Sequence, residues 1–416
     1  MSISHAHAET VRELGAFERA IDLYMHRNPV QFSLVAEIDR KVSEQTLARA
    51  LRGVQARHPL LRVSVDRRPP LARYRWAEGP VRVETVAEGT PWQAVVAGEQ
   101  TRPLPVEPGP LMRSVLIPSE ADSVIVLTFA HQITDGIGGM QVLTDLVTAL
   151  DADEDGGEPT SDWDVPPSQE TLLRTLDTAT PPVGPPQDEL MNAPGELTQF
   201  SGRAPHVSSL ALQRGTTARL VTRCRSNGVS VHAALCAAAC TVFHRAGRTR
   251  VRVLSPIDLR RAVDLPDAVA NRFAGARTAS EMSQAGDFWE LARHHHQALG
   301  RLRAPQVLKA GSEALDQQTP RTPEEAEAMM TVATAADIQI TNLGVVEAPA
   351  HDGTGLTALW GPAQTTQLRG EHVLGVTTFG GRLRMTELTH GPLAVLLPDM
   401  ATVLAQQCVD PDSSVS

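Results

Sequence analysis

The sequence has almost no lysine. Of its 38 basic residues only Lys41 and Lys309 are not arginine. Against 48 Asp and Glu, the formal net charge is −10, which excludes bulk attraction to a nucleic-acid backbone. An anionic ligand would meet guanidinium groups or backbone amides instead of ammonium groups. Cysteine is scarce as well. Cys224, Cys236, Cys240 and Cys408 are too few for a disulfide scaffold. Cys236 and Cys240 stand one helical turn apart among alanines, without a His, Cys or acidic partner on that face. They read as small buried hydrophobes, and no metal site is expected. No apolar run approaches the roughly 20 residues of a membrane span. The N-terminal MSISHAHAETVRELG lacks the basic patch and apolar stretch of a signal peptide. A cytoplasmic protein without a transmembrane segment or nucleic-acid partner is expected. Aromatics amount to 4%, and Trp76, Trp92, Trp163, Trp289 and Trp360 follow no stacking pattern.

What is present is an ordinary globular composition, 42% hydrophobic, over 416 residues. That exceeds what one core organises, so two domains are expected. The first half reads as mixed α/β: a helix over 12–27, then a strand in QFSLVAEID (31–39). Ser43 offers an N-cap to a helix whose Leu47, Ala50, Leu51 and Val54 form a core-facing stripe, stopped by Pro59. LLRVSVD (60–66), ARYRWAE (72–78) and VRVETVA (81–87) read as strands. SVIVLTFA (123–130) is apolar on both faces, as a fully buried strand requires, and runs into HQITDGIGG (131–139) and a helix marked by Leu143, Leu146, Val147 and Leu150. Two stretches rich in acid, Pro and Gly follow (151–168 and 178–187), flanking Leu172, Leu173 and Leu176, a candidate docking helix. The second half offers helices at 216–226 and 230–245, strands at 251–260 and 336–344, and a hairpin over 373–388 turning at Gly380-Gly381. A last helix covers 391–407, and the tail PDSSVS is expected to be disordered. The domains are therefore drawn at 1–170 and 206–416, with a crossover linker at 171–205.

A histidine at the end of a buried strand, with an ordinary pKa of about 6.5, can take a proton from a nucleophile at neutral pH. A buried Asp135 in the same turn needs a partner, and an arginine would lock the turn. Gly136 permits a positive φ or close backbone approach to a ligand. Alone, H-x-x-x-D-G is loose, since a single histidine serves packing more often than chemistry. His294–His296 on a helix read as surface histidines. Arg57, Arg62, Arg67 and Arg68 form a basic cluster that reads as solvated surface, or else as a patch for a donor's phosphate.

The order of further segments makes the pattern specific. RHPLLRVSVD (57–66), GPLMRSVLI (109–117), AHQITDG (130–136), PIDLRR (256–261) followed by Asn271, and TNLG (341–344) occur collinearly. In these the chain resembles the condensation-domain, or chloramphenicol acetyltransferase-like, acyltransferases and their HHxxxDG motif. It is most similar to the free-standing phthiocerol dimycocerosyl transferase type of polyketide ester synthase in bacterial natural product biosynthesis. The plant-type DFGWG signature is absent, with TTFGGRL (377–383) at the corresponding hairpin. The resemblance implies an α/β (α+β) fold of two similar subdomains in a V, with a central cleft or tunnel. It implies a monomer with no bound cofactor, using acyl-CoA or a phosphopantetheine-linked acyl-carrier protein as donor and a small-molecule hydroxyl as acceptor. His131 would be the general base. Asp135 would pair with Arg62 or Arg260, and Thr341 and Asn342 would face the cleft to bind substrate or intermediate. Ala130 replaces the first histidine of the motif. Three alternatives stand beside ester formation: an amide-forming condensation enzyme, a catalytically idle carrier-protein-binding module, and a base redirected to another reaction.

Overall fold

The computed structural model describes residues 10–68, 71–151, 164–178, 190–347, 354–391 and 396–409. Most of the two polar stretches after Leu150, Trp163 and the tail PDSSVS lie outside the described residues.

The first half comprises β1 (Thr10–Glu13), α1 (Ala16–Tyr24), β2 (Gln31–Ile38), α2 (Glu44–Arg57), β3 (Val63–Asp66), β4 (Arg73–Trp76), β5 (Val83–Thr85), α3 (Trp92–Glu99), β6 (Met112–Pro118), β7 (Ser123–Ala130) and α4 (Gly136–Ala149). The short α5 (Gln169–Arg174) follows. The second half comprises β8 (His206–Ala211), α6 (Arg214–Ser226), α7 (Val231–Arg245), β9 (Arg250–Asp258), α8 (Leu259–Ala262), β10 (Phe273–Glu281), α9 (Phe288–Leu302), α10 (Pro305–Gln317), α11 (Pro323–Ala333), β11 (Ile338–Val345), β12 (Leu356–Gln364), β13 (His372–Phe379), β14 (Arg382–Thr389) and α12 (Leu396–Gln406). The expected helix over 12–27 is divided: its first residues pair with β4 as a strand, and Gly15 opens the helix proper.

β7 lies inside the first-half sheet, ordered β12-β2-β7-β6-β5. It is antiparallel to both neighbours, with Phe129 opposite Phe32 and Met112. That position explains its unbroken apolar run, because both its faces are covered. The stripe on α2 is buried as expected, and Ser43 caps the helix by accepting from Thr46 N at 3.0 Å. The second-half sheet runs β10-β9-β11-β13-β14-β8. α7 is apolar and small all round (VHAALCAAACTVFHR), and it is buried through Ala233–His244 at the centre of this half's core. The hairpin turns at Gly380 and Gly381 with φ of 56° and 72°, the double positive φ of a type I′ turn.

The expected boundary does not separate the sheets. β12 belongs by sequence to the second half, yet it adds to the edge of the first-half sheet beside β2, Trp360 opposite Val35. Its crossing over β13 is tight: a Cβ on Gly375 would lie 2.0 Å from Pro362 O. Apolar packing also crosses the seam, since Val269, Ala270, Leu343 and Phe379 join the first-half core. α5 docks as its leucines suggest, with Leu173 packed among Ile257, Leu259 and Leu299. Among the described residues no single helix is long and apolar enough to cross a membrane.

Candidate active site

At the end of β7 the chain leaves the sheet and turns into α4, presenting His131 to a cavity of about 210 Å³ between the halves. α1 contributes Phe17 and Ile21, α4 Gly136 and Ile137, β11 Gln339 and Thr341, and β12 Pro362 and Gln364. The wall is mostly apolar. The rings of Phe32 and Phe273 each stand 5.2 Å from the imidazole.

The second half holds this turn in place. Asn271 donates through Nδ2 to the carbonyls of His131 (2.8 Å) and Gln132 (2.9 Å). That fixes its amide, so Oδ1 faces imidazole Nδ1 at 3.3 Å. An amide oxygen only accepts, so the proton resides on Nδ1 and the lone pair on Nε2. Nε2 has no hydrogen-bond partner among the described residues. Burial lowers the His131 pKa below its usual 6.5, and the negative charge of Asp135 partly opposes that shift. The imidazole is neutral at pH 7.

Asp135 is buried and fully engaged. Oδ1 caps α4 by accepting from Gly138 N at 2.8 Å. Oδ2 accepts from Arg272 N at 2.8 Å and from Arg260 Nη1 at 2.9 Å, while Arg260 Nη2 reaches Oδ1 at 3.3 Å. Arg260 also donates to the carbonyls of Ala268 and Ala270. Of the two arginines the sequence offers, the structure therefore places Arg260 at Asp135. Arg62 lies elsewhere, its guanidinium 5.0 Å over the Trp76 ring, because the 3-10 turn after α2 directs it along β4. Gly136 does not use a positive φ. It opens α4, and its lack of a Cβ matters through packing, since Leu343 Cδ2 would lie 2.8 Å from one.

Thr341 and Asn342 both line the cavity. Asn342 Oδ1 accepts from Gly344 N at 2.9 Å, so the side chain also shapes the strand-end turn, and its Nδ2 has no partner among the described residues. Asn271 is the residue whose role sequence reasoning missed. It stood in the motif list, but nothing local announces a contact to a turn 140 positions away.

Another expectation is corrected. His294–His296 are not surface histidines: His295 is wholly buried against Thr278 Oγ1 (2.8 Å) and Cys240 Sγ (3.4 Å), and its neighbours bond Ala279 O and Ser230 N. His295 faces inward because α9 packs on α7 and β10 across that face, and His294 and His296 are half-buried at its margins. The arginine cluster after α2, by contrast, is the solvated surface expected of it: Arg57, Arg67 and Arg68 are exposed, and they pair with Asp145, Asp22 and Asp66.

Residues 201–386 match the family described as phthiocerol/phthiodiolone dimycocerosyl transferase C-terminus. Polyketide synthase associated protein 5 from Mycobacterium tuberculosis superimposes over 97% of this chain and 99% of its own, with a TM-score of 0.69 at 16% identity. The first condensation domain of the CDA synthetase superimposes over 96% and 97%, with a TM-score of 0.66, also at 16% identity. The fold is that of the condensation domains. The epimerization domain from the third module of tyrocidine synthetase B shares it as well, at a TM-score of 0.60 and 13% identity over 97% of both chains. No curated protein sequence matches the chain. A condensation-domain fold thus accompanies different reactions, and the choice among them rests on the cavity.

Proposed function

We propose that this protein is an acyltransferase that moves an acyl group from a thioester, acyl-CoA or acyl-carrier protein, to a hydroxyl of a small-molecule acceptor. The observation that carries the reading is His131: a neutral imidazole at a cavity wall, with Nδ1–H directed to Asn271 Oδ1 and the Nε2 lone pair free. Nε2 takes the acceptor's proton as its oxygen attacks the thioester carbonyl. Collapse of the tetrahedral oxyanion expels the thiolate, which the imidazolium reprotonates. The first turn of α4 supports the same reading. Gly136 and Ile137 line the cavity at the positive end of a 14-residue helix, where backbone N–H groups favour a developing negative charge. Asn342 Nδ2 and the hydroxyl of Thr341 are further donors to substrate or intermediate. Asp135 and Arg260 hold the turn and do not touch the reacting atoms.

Of the charged groups lining the cavity, Asp135 and Asp258 are engaged by Arg260, while Arg272 donates to the carbonyls of Asn271 and Pro167 and its Nε has no partner among the described residues.

The test is thiol release by the purified chain, wild type beside His131→Ala, from a panel of acyl-CoAs and acyl-carrier thioesters with pooled hydroxyl and amine acceptors. Acceptor-dependent release that falls by about 10² or more in the variant, the scale of a lost general base, is the expected result. Release with amines alone moves the reading to amide formation. No release with any donor, or release that ignores the substitution, refutes the base and leaves the idle-module reading.

A further inference from the structure

A second depression lies where the start of α6 meets the β13–β14 turn and the crossing strand β12. Arg214, Thr357, Gly380, Arg382 and Arg384 are among its walls, and it shares no lining residue with the His131 cavity. None of its three arginines forms an ion pair among the described residues. Arg382 donates to Gln213 Oε1 at 2.8 Å. Arg384 donates to the carbonyls of Phe379 (2.8 Å) and Thr357 (3.3 Å). The Nε atoms of Arg382 and Arg384 are buried without a partner among the described residues, and Arg384 is only 6% exposed. The carboxylate acting on Arg384 is Glu37, which also accepts from Trp360 Nε1 at 2.7 Å. Arg384 is buried with its guanidinium 5.5 Å over the Trp360 ring, Arg382 is half-buried and Arg214 exposed, so three guanidiniums meet one carboxylate at a wall that solvent reaches.

The helix start repeats the imbalance. α6 has no acidic residue in its first turn, its N-cap Gln213 accepts no helix N–H, and Arg214 sits at the positive end. This reverses the favourable arrangement of charge along a helix. A bound anion answers the charge imbalance and the open helix start together. It would accept from the free N–H groups of the opening turn and from the guanidinium forks, and it would supply the missing negative charge.

We propose that this pocket binds a phosphoryl group, the anion whose charge and several oxygens match three arginines and a helix start. The expectation is independent of acyl transfer. It is tested by titration calorimetry on the full chain, in phosphate-free buffer of fixed ionic strength, with inorganic phosphate, coenzyme A and dephospho-coenzyme A. Wild type binds phosphate. Arg214→Gln, at an exposed position, and Arg382→Gln, at a half-buried one, each weaken binding by roughly 10-fold, the scale of one charge-assisted hydrogen bond, with unchanged circular dichroism. Coenzyme A held at least about 10-fold tighter than dephospho-coenzyme A, with the difference lost in both variants, assigns the group to the 3′-phosphate of coenzyme A. Equal affinities for these two, with phosphate binding kept, assign it to free phosphate. Absence of binding by all three probes, or binding that neither variant weakens, overturns the proposal.

Discussion

Removing the guanidinium of Arg260 is the sharpest test of how the candidate site is held. In Arg260→Leu, Asp135 loses its counter-charge inside the protein, and the carbonyls of Ala268 and Ala270 lose a donor. Breaking one side of a buried pair costs about 3–5 kcal/mol, because the other charge is left buried. Unfolding entropy is about 2.1 cal/mol/K per residue, so 416 residues unfolding together give about 0.9 kcal/mol/K. A loss near 4 kcal/mol therefore lowers Tm by about 5 °C. Asp135→Leu costs a comparable amount, since it also strips Gly138 N and Arg272 N of their acceptor. The decisive quantity is the coupling. The double variant removes both charges, so it should be at least about 2 kcal/mol less destabilised than the sum of the singles. Calorimetric melting of the four proteins measures it. A loss below about 1 kcal/mol for Arg260→Leu, or a cycle that is simply additive, would mean the pair is solvated and the clamp across the seam is not held by charge.

The activity of an enzyme using neutral His131 should be constant above neutrality and fall on the acid side with an apparent pKa below 6.5. A kcat/KM profile whose acid limb lies above 7 contradicts the burial argument. Gly375→Ala places a methyl against the Pro362 backbone at the strand crossing and should abolish soluble expression or lower Tm steeply. Gly300→Ala, in α9 with open space around it, should stabilise by up to about 1 kcal/mol. Equal melting shifts for the two would remove the steric account of the crossing. Burial lowers the pKa of His232 to about 4 and of His295 to about 3, against 6.5 for exposed imidazole. The unfolded chain then takes up protons first as pH falls below 6.5, so stability is complete above 6.5 and drains between there and pH 4, by about 2 kcal/mol per histidine at pH 5. Melting curves at pH 7 and 5 should show the drop, and His295→Gln should shrink it; identical slopes for variant and wild type would argue against that source.

Local pattern announced the elements that local forces decide. The α2 stripe, the β7 apolar run and the Gly380-Gly381 turn each carry their own cause, and each stands where the sequence puts it. The swapped strand was invisible because LTALWGPAQ pairs with β2, more than 300 residues earlier, and no periodicity encodes a partner. Burial of His295 failed for the same reason: an arginine- and histidine-rich helix reads as exposed until α7 and β10 cover one of its faces. At the site, HxxxDG located the proposed base, His131, and the acid that caps α4. Choosing between Arg62 and Arg260 required tertiary structure, because both lie close to motif segments and only one crosses the seam.

Ala130 shows why position outweighs motif. Its amide donates to Leu111 O, and its side chain is fully buried in the first-half core, away from the cavity lining. A histidine there would have to seat a polar ring among apolar neighbours, whereas alanine needs no partner. Alanine at this position leaves the cavity lining to its neighbour His131. The groups that do face it, or fix what faces it, arrive from both halves: His131 and the α4 start from one, Asn271, Arg260 and Asn342 from the other. A change that shifts the halves against each other moves His131 relative to the groups that orient it. The seam at Asp135–Arg260 and the crossing at Gly375 are thus as much part of the proposed chemistry as the imidazole, and a variant at either can lose turnover while His131 itself is intact.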